Sequence, residues 1–397
     1  MLVTRTPDHL PLFQSARGIG TLLIMNTHLV FSTWGVGESF LDRASARTGV
    51  WSLAVFFGLS GFLLSRGWAA WAWREGRKPS LLKYARHRIV RILPAYWITL
   101  VVVLATTAPG QSPASILSNA TLTQVYTGNL LPGFVQTWSL CAEIAFYFVA
   151  PVLWFTLFRR SRRAAFLALV AIGVMSMVLL GLSVTSVGLS VQGATLWLPT
   201  NMAWFCMGMS LAIFEPDIRS GGTRLPGLLR MPTTWLVASV AILLVTVAPL
   251  TGAMDLSDRG PGNTVLLQAL FLASVACFLV AMLIPGAEAT VWGRVVGSRP
   301  LVWLGQISYG LFLWQMLMIV LARNLTGAAY FNGQYWAPAI VTLGLTIVVA
   351  QLSWWFVENP THGWLVRRDR SVAARVDSID EAPDARDTHV ADKPGLL

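Results

Sequence analysis

Residues 164–183, AAFLALVAIGVMSMVLLGLS, form an unbroken apolar block without a charged side chain. A helix needs about 20 such residues to cross a bilayer. The 397-residue chain is 55% hydrophobic and only 12% charged, which is about half the charged fraction of a soluble domain. Because the apolar residues are gathered into blocks of this length, the sequence predicts an all-α, polytopic integral membrane protein.

These blocks predict about ten transmembrane helices joined by mostly short loops. The longest connection, 109–136, is rich in Ser, Thr, Pro and Asn and carries no charge. The end of the chain is charged and poor in large apolar residues, which is typical of disorder. We therefore expect a cytoplasmic N-terminus at 1–10, a transmembrane domain at 11–360 and a disordered cytoplasmic tail at 361–397. The predicted spans are 11–34, 50–73, 90–108, 137–158, 164–183, 194–214, 234–252, 264–285, 301–322 and 337–357.

The basic residues are distributed asymmetrically about this predicted membrane. Most of the 29 lysines and arginines fall in one set of alternate loops, such as the run RRSRR at 159–163, or follow residue 366. Such an excess marks the cytoplasmic side, so both termini are expected in the cytoplasm. The same excess accounts for the net charge of +11 without a nucleic-acid partner. Arginine far outnumbers lysine, which hints at a high-GC bacterial source and hence at a bacterial inner (plasma) membrane.

Four ionisable residues fall inside predicted spans: Arg17, His28, Arg66 and Glu143. Each costs at least ~2.5 kcal/mol at the centre of a span, so such residues usually face a protein interior or a water-filled site. Arg17 and His28 are eleven residues apart, which places them on one helix face, separated by a rise of roughly 16 Å. One helix therefore carries an arginine near its cytoplasmic end and a histidine nearer the outer leaflet.

Counting depth along the other spans predicts two polar layers. Arg66 matches the depth of Arg17 and joins the basic start of the third span, with Arg88 and Arg91. Glu143 and Gln315 match the depth of His28. Guanidinium groups bind phosphate bidentately, and a histidine beside a carboxylate suits general-base chemistry on a hydroxyl. The layers indicate an enzyme that moves a group from a phosphorylated cytosolic donor to an acceptor at or near the far side.

Each of these residues also has a purely structural alternative. The arginines could snorkel at helix ends or only set the topology. His28 could be a hydrogen-bonded packing residue between helices, and Glu143 could be its structural partner or that of an arginine. Cys141 reads as a small packing residue. The three cysteines and five histidines have no metal-binding or disulfide spacing, so we expect no metal site and no permanently bound cofactor.

Six motifs in chain order resemble those of the acyltransferase-3 family, integral membrane enzymes that O-acylate sugars, lipids and antibiotics. The Arg17–His28 pair resembles the family's arginine and histidine separated by ten residues. The other matches extend to residue 360. They are FFGLSGFLLSR (56–66), RIVRILPAYW (88–97), TWSLCAEIAFYF (137–148), LGQISYGLFLWQ (304–315) and FVENP (356–360).

The resemblance implies a ten-helix acyltransferase domain that receives acyl-CoA, above all acetyl-CoA, from the cytoplasm as a co-substrate. His28 would be the base that activates the acceptor hydroxyl, with Glu143 supporting the histidine or the acceptor. Four arginines would bind or orient the CoA phosphates, and five further motif residues would line the acceptor site or pocket. The arginines are Arg17, Arg66, Arg88 and Arg91; the pocket residues are Ser60, Trp138, Tyr147, Tyr309 and Gln315.

Two positions depart from the family pattern: Gln315 stands where the family often has histidine, and His87 where it often has a second arginine. Gln315 cannot transfer a proton but can still form hydrogen bonds. The chain ends soon after the tenth predicted span without an SGNH-type esterase domain, so we expect the acceptor to reach the membrane domain directly. That acceptor could be a glycan, a glycolipid or a secondary metabolite. A covalent acyl-enzyme stays open, with Ser60, Cys141 or His28 as nucleophile.

Two rival functions stay open. One is a lipid or sugar-conjugate transporter or flippase without acyl-transfer chemistry, which would favour inverted repeats with matched helix breaks; we find no clear pairing. The other is a non-catalytic family member, suggested by Gln315, against which the retained Arg17–His28 pair argues.

Overall fold

Apolar helices dominate the chain in the computed structural model, which describes residues 10–34, 39–74, 76–184, 193–220, 226–248, 251 and 256–380. No strand occurs among these residues. Short 3₁₀ turns join several helices, and a π-helix, Trp354–Glu358, links the last two. The α-helices are α1 (Pro11–Trp34), α2 (Phe40–Trp73), α3 (Leu81–Thr106), α4 (Pro113–Ala120), α5 (Gln124–Thr127), α6 (Trp138–Leu157), α7 (Arg162–Ser183), α8 (Leu198–Arg219), α9 (Pro232–Val247), α10 (Leu256–Leu283), α11 (Val291–Val296), α12 (Arg299–Gln306), α13 (Ser308–Thr326), α14 (Trp336–Ser353) and α15 (Asn359–Asp380).

Within the described residues, seven helices are long and apolar enough to cross a membrane, or eight if α12 and α13, which meet at 71°, form one bent span. The 24-residue α1 is long enough but too polar to be among them, and α9 is apolar but has only 16 residues. A helix therefore lies at each of the ten predicted positions, and the chain is a multi-pass, all-helical membrane protein. The count of ten spans and the cytoplasmic location of both termini stay predictions.

The most enclosed helices are α2 and α8. Buried residues make up 61% of the membrane window of α2 and 72% of that of α8, against 22% in α7 and 17% in the Trp336–Asp369 stretch. The ring of Phe205 on α8 stacks between Phe57 and Phe146, at centroid distances of 4.6 and 4.1 Å. This aromatic stack ties α2, α6 and α8 into the centre of the bundle and leaves α7 and α14 to face lipid.

The polar helix α1 is packed among α2, α12 and α13. It approaches α12 very closely, since a Cβ on Gly18 would lie 2.6 Å from the backbone nitrogen of Gly305. Small residues allow such close helix approach in membranes. The neighbouring helices thereby enclose the polar face of α1, which contains Arg17 and His28.

The uncharged connection 109–136 is more ordered than its composition indicates. It contains α4 and α5, and it folds back onto α3, where the Tyr96 hydroxyl donates to the carbonyl of Asn119 at 2.7 Å and the Trp97 indole donates to that of Ala120 at 3.0 Å. At its end, the Gln136 amide donates to the carbonyl of Leu313 at 2.9 Å. The connection therefore closes one end of the bundle near α13.

The chain beyond 360 differs from the expected disorder, because α15 continues the helical path to Asp380. Asp369 forms ion pairs with Lys83 at 3.0 Å and His87 at 2.8 Å, and also with Arg86. These contacts attach α15 to the start of α3, and composition alone does not reveal them. The remainder of the predicted tail, 381–397, and residues 1–9 of the predicted N-terminus lie outside the described residues.

Candidate active site

Three arginines from two helices line one cavity of about 120 Å³. Arg17 comes from α1, and Arg88 and Arg91 come from the first turns of α3. Ser60, Glu143, Tyr147 and Tyr309 line the same space. The sequence therefore predicted seven residues that the structure brings together; we call this space the arginine cavity.

The guanidinium groups of the arginine cavity have few compensating partners. None of the three forms an ion pair or a side-chain hydrogen bond with any described residue, and the buried Nε of Arg88 has no hydrogen-bond partner. The Arg88 guanidinium lies 5.7 Å from the centre of the Tyr147 ring. Arg17 and Arg88 are half-buried and Arg91 is exposed. Three cations without ion-pair partners around one nearby carboxylate favour an anionic ligand.

Glu143 supplies that carboxylate. The hydroxyl of Ser60 donates to Glu143 Oε1, and the hydroxyl of Tyr147, one turn further along α6, donates to the same oxygen at 2.7 Å. The structure does not bring Glu143 together with His28 as expected, because the carboxylate lines the cavity of the arginines and not that of the histidine. The sequence indicates how deep Glu143 lies in the membrane but not which neighbour its helix face meets. In the structure, the face of α6 that carries Glu143 and Tyr147 is turned toward Ser60.

His28 lines a different cavity of about 150 Å³, together with Gln136, Trp138 and Ser139. We call it the histidine cavity. His28 Nδ1 lies 3.5 Å from Oε1 of Gln315. Gln315 is fully buried, and its amide donates to the carbonyl of Phe312 at 3.2 Å. The predicted approach of His28 and Gln315 is therefore present in the structure, and the glutamine is held in one orientation.

A smaller cavity of about 60 Å³ lies between these two sites. It shares Arg17 and Glu143 with the arginine cavity, and Leu53 and Phe312 with the histidine cavity. The three spaces therefore adjoin in series. Since α1 is one unbroken helix, the rise from Arg17 to His28 along this series is roughly 16 Å.

Arg66 lies outside this series of cavities, so the structure does not bring it together with the other three arginines. Its guanidinium pairs with the carboxylate of Glu215 on α8 at 2.8–3.0 Å, and Arg219 donates to the same carboxylate at 2.9 Å. Glu215 is almost fully buried. The sequence of α2 does not show which of its faces meets Glu215.

Gln136 is the main site residue that the sequence reasoning missed. It is 2% exposed, it lines the histidine cavity, and its Oε1 is buried without a hydrogen-bond partner. The available signal was its position at the end of an uncharged connection, immediately before the WSLCAE motif. Among the described residues, no group of three or more histidine, cysteine, aspartate or glutamate side chains could hold a metal ion.

The structure therefore joins a cationic cavity to the cavity of a half-buried histidine within a bundle of apolar helices. The sequence model of the Acyl_transf_3 family, described as an acyltransferase domain, matches residues 13–358. The chain belongs to this family, which confirms the resemblance found in its motifs.

Two curated bacterial proteins are similar to the chain. "Peptidoglycan O-acetyltransferase OatA" of Listeria monocytogenes is 21% identical over 374 residues, which cover 89% of this chain and 56% of the relative. "Putative peptidoglycan O-acetyltransferase YrhL" of Bacillus subtilis is 26% identical over 232 residues, 56% of this chain and 34% of the relative. The chain thus spans about half the length of the first relative and less of the second. No solved structure matches it.

Proposed function

We propose that the protein is an O-acyltransferase that moves an acetyl group from cytosolic acetyl-CoA to a hydroxyl of a cell-envelope glycan. One observation carries the proposal: three arginines without carboxylate partners line a cavity that adjoins, through one small space, the cavity of a half-buried histidine. A polyanionic donor and a general base are the two requirements of acyl transfer from CoA to an alcohol.

The donor would bind with its phosphates on Arg17, Arg88 and Arg91. Guanidinium groups suit phosphate because they present several fixed donors to its oxygens. From there the pantetheine arm would extend through the connecting cavity toward His28, over the roughly 16 Å that separate the two residues along α1. The arginines would in this way hold the donor while its thioester lies beside the base.

His28 would then act as the general base. Gln315 Oε1 would accept a hydrogen bond from Nδ1–H, which leaves Nε2 unprotonated and free to take the acceptor's proton. The acceptor oxygen attacks the thioester carbonyl, the carbon–sulfur bond breaks, and the proton on Nε2 passes to the departing thiolate. The products are an acetyl ester and free CoA, and His28 returns to its starting form.

Glu143 would serve the donor site rather than the base. Its carboxylate is fixed by two hydroxyl donors, Ser60 and Tyr147, within the arginine cavity. It offsets part of the positive charge there and so helps to keep the arginines in place before the donor binds. The Ser60 hydroxyl donates to a carboxylate that could accept its proton, so an acyl-serine is the alternative to direct transfer.

The acceptor class rests on the two relatives, both named as peptidoglycan O-acetyltransferases. We infer a polysaccharide of the cell envelope, whose sugar hydroxyl enters the histidine cavity. Gln136 and Trp138 line that cavity, and the unpaired Oε1 of Gln136 offers an acceptor for a hydroxyl or amide of the sugar.

The test is transfer of radiolabelled acetyl from acetyl-CoA to soluble cell-wall glycan fragments by purified protein in detergent. We expect transfer by wild type and by His87→Ala, a control that removes an imidazole outside the cavities, but not by His28→Ala. If wild type transfers no label and releases no CoA thiol with any acyl-CoA, the proposal fails and the transport alternative gains support.

A further inference from the structure

A fourth and larger cavity, of about 540 Å³, adjoins the arginine cavity. It shares Arg91 and Tyr309 with that cavity and is also lined by residues of α1, α12, the π-helix and the start of α15. Its volume falls within the range of ~300–1,000 Å³ found for small-molecule sites. We call it the vestibule; it lies at the end of the passage away from His28.

The vestibule contains one carboxylate, that of Glu358. The hydroxyl of Ser353 donates to its Oε1 at 3.1 Å, and no described residue bonds to its second oxygen. Glu358 lies within electrostatic range of Arg91 and Arg17 but forms no ion pair with either. It ends the π-helix Trp354–Glu358, and such single π turns are frequent at functional sites.

A carboxylate here is unexpected if the neighbouring arginines bind phosphates. It repels the donor's negative charge, and a hydrogen bond accepted from the same ligand would offset that repulsion. Beyond its phosphates, the nucleotide end of CoA offers few hydrogen-bond donors, and the 6-amino group of adenine is the one that a planar carboxylate can meet at the edge of the base.

Other groups in the vestibule suit a purine base. Gln14 and Gln306 line it, and their amides make no side-chain hydrogen bond with any described residue. Amides can donate to and accept from ring-edge atoms. Trp354, half-buried in the same wall, offers a flat face, and base–aromatic stacking is worth roughly 1–3 kcal/mol.

We propose that the vestibule binds the adenine nucleotide end of the donor and that Glu358 selects adenine by accepting a hydrogen bond from its 6-amino group. This inference rests on the proposed function, because it assumes that the donor is a CoA thioester. It adds a base-specific subsite beyond the arginines that hold the phosphates.

The experiment is equilibrium binding of CoA and of its hypoxanthine analogue to purified protein in detergent. The analogue carries a carbonyl oxygen where adenine has its amine. The Glu358 carboxylate would then face another hydrogen-bond acceptor instead of a donor. Sites that bond a polar group reject ligands that lack it, so we expect wild type to bind CoA at least about tenfold more tightly than the analogue.

The variant is Glu358→Gln, whose amide can accept from the amine of one ligand and donate to the carbonyl of the other. The ratio of the two affinities should fall to near one. The matched control, Glu288→Gln, changes an exposed carboxylate on a short turn outside the vestibule and should keep the wild-type ratio.

The inference is overturned if wild type binds both ligands equally, or if Glu358→Gln keeps the wild-type preference. Acetyl transfer is measured in parallel, so the two proposals can fail separately. Wild-type protein that transfers acetyl without discriminating the bases refutes only the subsite. Discrimination without transfer refutes only the enzymatic function, and absence of any CoA binding refutes both.

Discussion

Replacing Arg66 with methionine separates a structural arginine from those that we assign to the donor. Arg66 and Glu215 join α2 to α8, the two most enclosed helices, and the Glu215 side chain is 4% exposed while that of Arg66 is 29% exposed. Breaking a fully buried pair costs about 3–5 kcal/mol. Because the Arg66 side chain is partly exposed and Arg219 still pairs with Glu215 in the variant, we expect a loss of about 1–3 kcal/mol in the free energy of unfolding.

The assay is a double-mutant cycle in detergent micelles. Arg66→Met, Glu215→Met and the double variant are unfolded by a denaturing detergent, and the KM for acetyl-CoA is measured on each. The double variant should lose less stability than the sum of the single variants, by at least ~1 kcal/mol, and no KM should change by more than about twofold. A stable Arg66→Met protein with a tenfold higher KM would refute the reasoning, because it would place Arg66 at the donor.

Three further substitutions test other parts of the site. Gly18→Ala forces α1 away from the backbone of α12 and should cost about 1–3 kcal/mol of stability, as overpacking does, seen as an earlier midpoint in the same unfolding assay. Gln315→Leu removes the acceptor for His28 Nδ1–H and should lower kcat about 10–100-fold with little change in donor KM; an unchanged kcat contradicts that role. Ser60→Ala removes one donor to Glu143 and should raise donor KM only several-fold, whereas complete loss of turnover with an acyl adduct on wild-type Ser60 would point to an acyl-serine.

The helix positions could be predicted because apolar blocks of membrane length have few alternatives. The residues at which the helices begin and end were harder to predict. Helix α2 begins at Phe40, ten residues before the predicted span, since its first turns are polar and start from a capping box at Ser39 and Asp42. The bend between α12 and α13 and the helix beyond 360 depend on contacts between distant segments, such as those of Asp369, which no local pattern contains.

The arginine cavity was predictable for a related reason. Arg17 is unusual within a span, and its helical offset from His28 and its depth relative to Arg88 and Arg91 follow from the sequence. Which helix face meets which neighbour does not follow from it. That is why Glu143 was expected beside His28 and was found with the arginines.

The central claim is a division of labour between the arginines and the histidine. The most direct measurement is the rate of acetyl transfer as a function of acetyl-CoA concentration for His28→Ala and Arg88→Met. We predict that Arg88→Met approaches the wild-type rate once the donor is raised well above its increased KM, while His28→Ala transfers nothing even at saturation with CoA bound normally. Transfer by His28→Ala at the wild-type rate would contradict the account.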